Sequence, residues 1–176
     1  FADVVGFTPL TGKLEPEVVV SILNELFTIM SEIVFRHGGM IDKFIGDSMM
    51  ALWGAPEATD DHAERAVAAA LDMQKWLEFG RKRWKERYDI TIDVAIGINT
   101  GSAVVGNIGS QTRMEYTAIG ESVNVAARVE SVARPRQVLI TAATKAALPD
   151  VYDVVEIGEK QLPGREKPTM LYEVNA

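Results

Sequence analysis

Two aspartates, a lysine and an asparagine–arginine pair are the side chains of this sequence whose types and spacing can do chemistry. Asp3 ends an apolar opening stretch just before Gly6-Phe7-Thr8, and Asp47 sits at the tip of an Ile45-Gly46-Asp47-Ser48 turn. Hard divalent cations prefer carboxylate oxygens, and Mg²⁺ commonly takes one or two of them plus the oxygens of a bound phosphate. Aspartates at strand ends and turns also serve ordinary turn hydrogen bonding, so spacing alone leaves both readings open. Gly6-Phe7-Thr8 leads into a helical segment, where backbone N–H groups and the helix dipole suit phosphate oxygens. A plain strand-to-helix turn reads the same way. Lys43, in an otherwise apolar strand four residues before Asp47, is either a donor to a ligand or an edge-strand lysine that discourages aggregation. Asn124 and Arg128 stand four apart on an otherwise apolar helix, so they share a face and can address one ligand. Arginine brings a permanently charged planar fork suited to phosphate, and asparagine brings a donor and an acceptor; a surface arginine beside a helix-start asparagine is the alternative. His37 and His62 are isolated and receive no role.

The elements that must position these groups follow from periodicity. Apolar residues from about Pro16 to Phe35 recur at helical spacing, and Gly38-Gly39 supplies the stop. Met40 to Trp53 reads as two short strands around the turn that carries Asp47. An alanine-rich stretch from Asp60 to about Glu86 reads as a second long helix, capped by Asp60 or Asp61. Ile90, Ile92, Val94, Ile96 and Ile98 alternate as a strand does; a glycine-punctuated strand through 103–106 and a helix from about Ser122 to Ala133 follow. The order strand, helix, strand, strand, helix, strand, with a C-terminal extension, predicts an α+β fold. Its core is a ferredoxin-like split βαβ with helices on one face of an antiparallel sheet. In that topology the first strand neighbours the hairpin, so Asp3 and Asp47 can converge.

Bulk properties narrow the chemistry. With 47% hydrophobic and 24% charged residues, the chain reads as one globular domain over residues 1–176. A net charge of −7 argues against broad adhesion to nucleic acid or an anionic membrane, so an anionic ligand must be held locally. The absence of cysteine removes disulfides, thiolate metal sites and cysteine nucleophiles. No apolar run reaches the roughly 18 residues a membrane span needs, and no basic n-region with an apolar h-region opens the chain. The opening in mid-strand without a methionine is expected of a piece of a longer regulated protein whose upstream domains are missing.

Four segments taken together resemble the catalytic domains of class III adenylyl and guanylyl cyclases. They are FADVVGFT at 1–8, DKFIGDSMMALWG at 42–54, GINTGSAVVGNIGS at 97–110 and YTAIGESVNVAARVE at 116–130. The resemblance implies a head-to-tail homodimer with two active sites at the subunit interface. It implies that Asp3, Asp47 and the Val4 carbonyl of one protomer hold two Mg²⁺ or Mn²⁺ ions, with Phe7 and Thr8 near the phosphates. The other protomer would supply Lys43 and Thr117 to adenine, Asn124 to the ribose and Arg128 to the α-phosphate. The reaction so implied is attack of the ribose 3′-oxygen of ATP on the α-phosphorus, giving cyclic AMP and pyrophosphate.

Lys43 with Thr117 favours ATP, since guanylyl cyclases typically carry glutamate at the first position. Threonine at 117 also resembles cyclases that respond to bicarbonate. Many relatives place a phosphate-binding lysine directly before a late glycine; here the stretch reads Lys160-Gln161-Leu162-Pro163-Gly164-Arg165, so Lys160 or Arg165 must substitute or triphosphate affinity falls. The competing expectations are a guanylyl cyclase and a catalytically inactive cyclase-like regulatory module. A palm-type polymerase or diguanylate cyclase is disfavoured by the missing GGDEF-like turn and by the charge. The catalytic domain is expected to be cytoplasmic, whether its parent protein is free or attached to a membrane through a missing segment.

Overall fold

The computed structural model describes residues 1–175, the side chain of Thr8 excepted. In chain order the elements are β1 (Ala2–Val4), α1 (Phe7–Thr11), α2 (Pro16–Arg36), β2 (Met40–Ile45), β3 (Ser48–Leu52), α3 (His62–Tyr88) and β4 (Val94–Ile98). Then come β5 (Val104–Ser110), β6 (Arg113–Ile119), α4 (Glu121–Glu130), β7 (Val138–Thr141), α5 (Ala142–Ala146), β8 (Val154–Lys160) and β9 (Thr169–Val174). The main sheet runs β2-β3-β1-β4-β7-β9-β8. Its first four strands are antiparallel neighbours, joined through α2 and α3 in the split βαβ order that the sequence predicts. β7 then pairs parallel to β4, and the antiparallel β7-β9-β8 set forms the C-terminal extension, so the sheet as a whole is mixed.

Strand alternation divides the core in two. On one face, Leu26, Met30 and Val34 of α2 and Val67, Met73 and Leu77 of α3 pack with Val4, Ile96 and Ile140 of the sheet. On the other, Val125 and Val129 of α4 pack with Leu139, Leu162 and Leu171. Val138 and Ile140 belong to the first cluster and Leu139 to the second, as successive strand side chains point to opposite faces. The expectation of helices on one face therefore holds for α2 and α3, whereas α4 covers the other. Gly97 makes this possible: a Cβ there would stand 2.1 Å from the Glu130 nitrogen, so α4 rests on bare β4 backbone.

Other boundaries differ in instructive ways. Asp61 occupies the N-cap of α3 but makes no side-chain capping bond; its carboxylate accepts from Arg65 Nε at 2.7 Å instead, and that ion pair outcompetes the cap. Ile90 and Ile92 are buried, yet the strand begins only at Val94. β6 pairs with β5 in a separate two-stranded arm that alternation did not reveal. The expectation that no apolar stretch reaches membrane-spanning length also needs correction. By length and composition α2 passes that test, but it buries Ile22, Leu26, Met30 and Val34 against α3 and the sheet, as a core helix does.

Candidate active site

Asp3 is the middle residue of β1. Its neighbours Ala2 and Val4 are buried under α2 and α3, so alternation turns Asp3 to the opposite face. Asp3 pairs in register with Ser48, whose hydroxyl donates to the Asp3 carboxylate. Asp47 directly precedes Ser48 in a tight turn where Gly46 takes φ 64°, a left-handed conformation costly for other residues. The structure thus brings the two predicted carboxylates to one corner of the sheet. Burial, and then the negative charge of Asp3, push the proton affinity of Asp47 above the ordinary aspartate range. Glu130, at the C-terminal end of α4, is pushed up to about 7 by burial and by the charges of Asp3 and Asp47. The charge of Asp3 thus adds to burial in raising both Asp47 and Glu130, a repulsion that a divalent cation would relieve.

Val4 closes β1, and Gly6, with φ 70°, turns the chain into α1. Phe7 opens that helix, so its N–H and that of Thr8 belong to the first turn, which has no intrahelical carbonyl partners. The Thr8 side chain lies outside the described residues. Among the described residues no cluster of three or more His, Cys, Asp or Glu side chains forms a complete metal cage. Two carboxylates and a carbonyl, with the remaining positions left to phosphate oxygens, are nevertheless a donor set that Mg²⁺ accepts.

Lys43 and Thr117 come together at the other side of the hairpin, where β6 lies beside edge strand β2. Lys43 Nζ lies 2.9 Å from Glu115 Oε2 and 3.4 Å from Asp42 Oδ1. The Glu115 hydrogen bond, chiefly, raises the proton affinity of Lys43, while Lys43 and then Arg113 hold Glu115 below its ordinary range. Thr117 is buried, and its hydroxyl donates to Asp42. Asp42 and Glu115 escaped sequence reasoning because a charged residue on a strand usually reads as solvated surface.

Asn124 and Arg128 flank the buried Val125–Val129 stripe of α4, about 100° round the helix from it, with Asn124 exposed and Arg128 half-buried. Arg128 Nη1 faces Glu121 Oε1 at 3.7 Å, and Arg165 Nη1 faces the same oxygen at 3.5 Å. A Cβ at Gly164 would come within 3.4 Å of Arg128 Nη2. Of the two candidate substitutes for the missing lysine, Arg165 therefore stands beside Arg128, whereas Lys160 ends β8. Glu130, which feels Asp3 and Asp47, is two residues and about 200° of helical rotation beyond Arg128. Within one protomer the carboxylate corner and the Asn124–Arg128 face thus point to different sides of α4. A cavity of about 450 Å³ between β3, β4 and the arm is lined by Ala51, Gly97, Asn99, Val105, Ala118 and Ala126 and by none of the predicted site residues.

The sequence matches the family model described as the adenylate and guanylate cyclase catalytic domain over residues 1–175. Adenylate cyclase 1 of Rhizobium meliloti is 37% identical over 99% of this chain and 26% of its own length. The adenylate cyclase of Anabaena cylindrica is 32% identical, covering 100% of this chain and 36% of its own. The chain therefore spans about a quarter to a third of the length of these relatives. Among solved structures, the adenylyl cyclase CyaB from P. aeruginosa superposes with a TM-score of 0.96 at 35% identity, covering 99% of this chain and 91% of that one. The guanylyl cyclase Cya2 superposes with a TM-score of 0.93 at 37% identity, covering 98% of this chain and 88% of that one. Overall similarity thus leaves the base undecided.

Proposed function

Since the chain belongs to the adenylate and guanylate cyclase catalytic domain family, we propose that it is an adenylate cyclase that converts ATP to 3′,5′-cyclic AMP and pyrophosphate. Its sites would be shared across a homodimer. The observation that carries this reading is the division of the candidate side chains. Asp3 and Asp47 form one half-site, Asn124 and Arg128 form another on a different side of α4, and neither half is complete in one protomer. A two-fold dimer that joins the corner of one subunit to the α4 face of its partner completes both sites at once.

Asp3, Asp47 and the Val4 carbonyl would hold two Mg²⁺ or Mn²⁺ ions, which when bound lower the pKa of the ribose 3′-hydroxyl and neutralise the triphosphate. The chain's own groups then position and stabilise. Phe7 and Thr8 offer backbone donors to phosphate oxygens, Asn124 orients the ribose, and Arg128 meets charge developing at the α-phosphate. Arg165, beside Arg128, is the better placed of the two candidates to hold the triphosphate. Nucleotide would displace Glu121 as the partner of both guanidinium groups. Lys43 and Thr117 support the choice of adenine, and no protein nucleophile is required.

The test is an assay of the purified chain with Mn²⁺ and either ATP or GTP, following both cyclic products. Cyclic AMP formed preferentially supports the reading. Cyclic GMP alone makes this a guanylyl cyclase, and no product with any metal leaves a regulatory dimerisation module. Thr117 also supports bicarbonate as an activator. Equal velocities with bicarbonate and chloride at fixed pH and ionic strength would remove that idea. The length of the relatives supports a catalytic portion within a longer protein, and ATP as the substrate supports a cytoplasmic location.

A further inference from the structure

A threonine hydroxyl can donate or accept, so by itself it does not tell one purine from another. Its surroundings decide. Thr117 Oγ1 donates to Asp42, lying 2.9 Å from Oδ1 and 2.8 Å from Oδ2. The same carboxylate accepts from the Ala118 backbone N–H at 3.0 Å, and Lys43 Nζ stands 3.4 Å away. The Asp42 side chain is fully buried and Thr117 is 7% exposed, so both are held in one orientation. A hydroxyl has one proton and a carboxylate has only acceptors. The Thr117 proton is therefore committed to Asp42, and the oxygen meets anything else as an acceptor. Lys43, an ammonium, offers only donors.

We propose that Asp42 is a positioning residue for base selection: by taking the Thr117 proton it fixes a donor at Lys43 beside an acceptor at Thr117. With Lys43 facing N1 and Thr117 facing the 6-substituent, that pair complements the N1 acceptor and 6-amino donor of adenine. It opposes the N1–H donor and 6-oxo acceptor of guanine, so guanine meets like against like. The inference rests on the ATP reading above and deepens it, adding a residue one position before Lys43 that touches no substrate. A merely structural Asp42 would tie the β5–β6 arm to β2 without influencing which purine is taken.

The decisive variant is Asp42→Asn, which keeps the shape and an acceptor for Ala118 N–H but offers Thr117 a donor, freeing the hydroxyl proton for a ligand. The readouts are the ATP-to-GTP ratio of kcat/KM with Mn²⁺, and the ratio of ATP and GTP affinities from competition against a fluorescent ATP analogue. Thermal melting checks the fold. The expected result is a fall of roughly tenfold or more in both ratios, with GTP binding improved. A folded Asp42→Asn protein that keeps the wild-type ratios overturns the proposal. If that variant does not fold, Thr117→Val and Thr117→Ser decide: valine should lose the preference and serine should restore it, and valine with wild-type ratios overturns the proposal. A wild type that prefers GTP refutes the ATP reading before any variant is made and takes this inference with it.

Discussion

Under α2 and α3 the sheet buries a continuous core running from Leu26 and Val67 to Trp84, whereas under α4 the buried set is Val125, Val129, Leu139, Leu162 and Leu171. The side chains proposed for chemistry lie on the second face or at the sheet edge and none lies within the first core. Asp3 faces away from the large cluster, Asn124 and Arg128 ride on α4, and Asp47 sits at a hairpin tip. The difference teaches a division of labour: the thick face supplies stability and the thin face supplies geometry.

Arg128→Ala should break the comparison on the thin side. Turnover should fall about 100- to 1000-fold, roughly 3–4 kcal/mol in the transition state, with a much smaller change in KM and an almost unaltered melting temperature. Steady-state kinetics beside a thermal melt would register it. On the thick side, Leu26→Ala removes a fully buried side chain and should cost about 2–5 kcal/mol by denaturant unfolding. Activity per folded molecule should stay near wild type. Gly97→Ala lies on the seam, where a Cβ would strike the Glu130 backbone. It should lower stability by about 1–3 kcal/mol and reduce turnover together, because α4 must shift with Asn124 and Arg128. A Gly97→Ala protein with lowered stability and unaltered turnover would mean that α4 position does not set the rate.

The smallest expected effect concerns pH. Glu130 binds its proton more tightly in the folded protein, up to about 7, than in the unfolded chain, and Asp47 shifts in the same direction. Folded-state proton uptake makes stability greatest below the ordinary glutamate range and lowers it as pH rises towards 7. Allowing for solvent screening, the loss is about 1 kcal/mol. Melting temperature between pH 5 and 7.5 should therefore decline in wild type and flatten in Glu130→Gln, while Mn²⁺ should stabilise more at the upper end.

The sequence made the scaffold legible where a pattern is local. The helical spacing of Val19, Ile22, Leu26 and Met30 and the glycine turn before Asp47 each specify an element within a few residues. It did not reveal which face α4 covers, because Leu162 and Leu171, which complete that core, lie more than thirty residues later. The pairing of β5 with β6 was hidden for the same reason, and with it the meeting of Asp42 and Thr117, 75 positions apart. Asp61 misled because a carboxylate at a helix start can cap or pair, and Arg65 one turn later decided the matter. Asp3 and Asp47 are expected to be neighbours from topology, and the register of Asp3 with Ser48 brings them together.

The central claim is that each active site takes its carboxylates from one subunit and its Asn124–Arg128 face from the other. Mixing equal amounts of Asp47→Ala and Asn124→Ala, each inactive alone, and assaying cyclic AMP formation tests it directly. Random reassortment puts half the dimers in the mixed form with one intact site of two, so about a quarter of wild-type activity should return. A mixture that stays as inactive as its components, although the subunits exchange, would contradict a shared site.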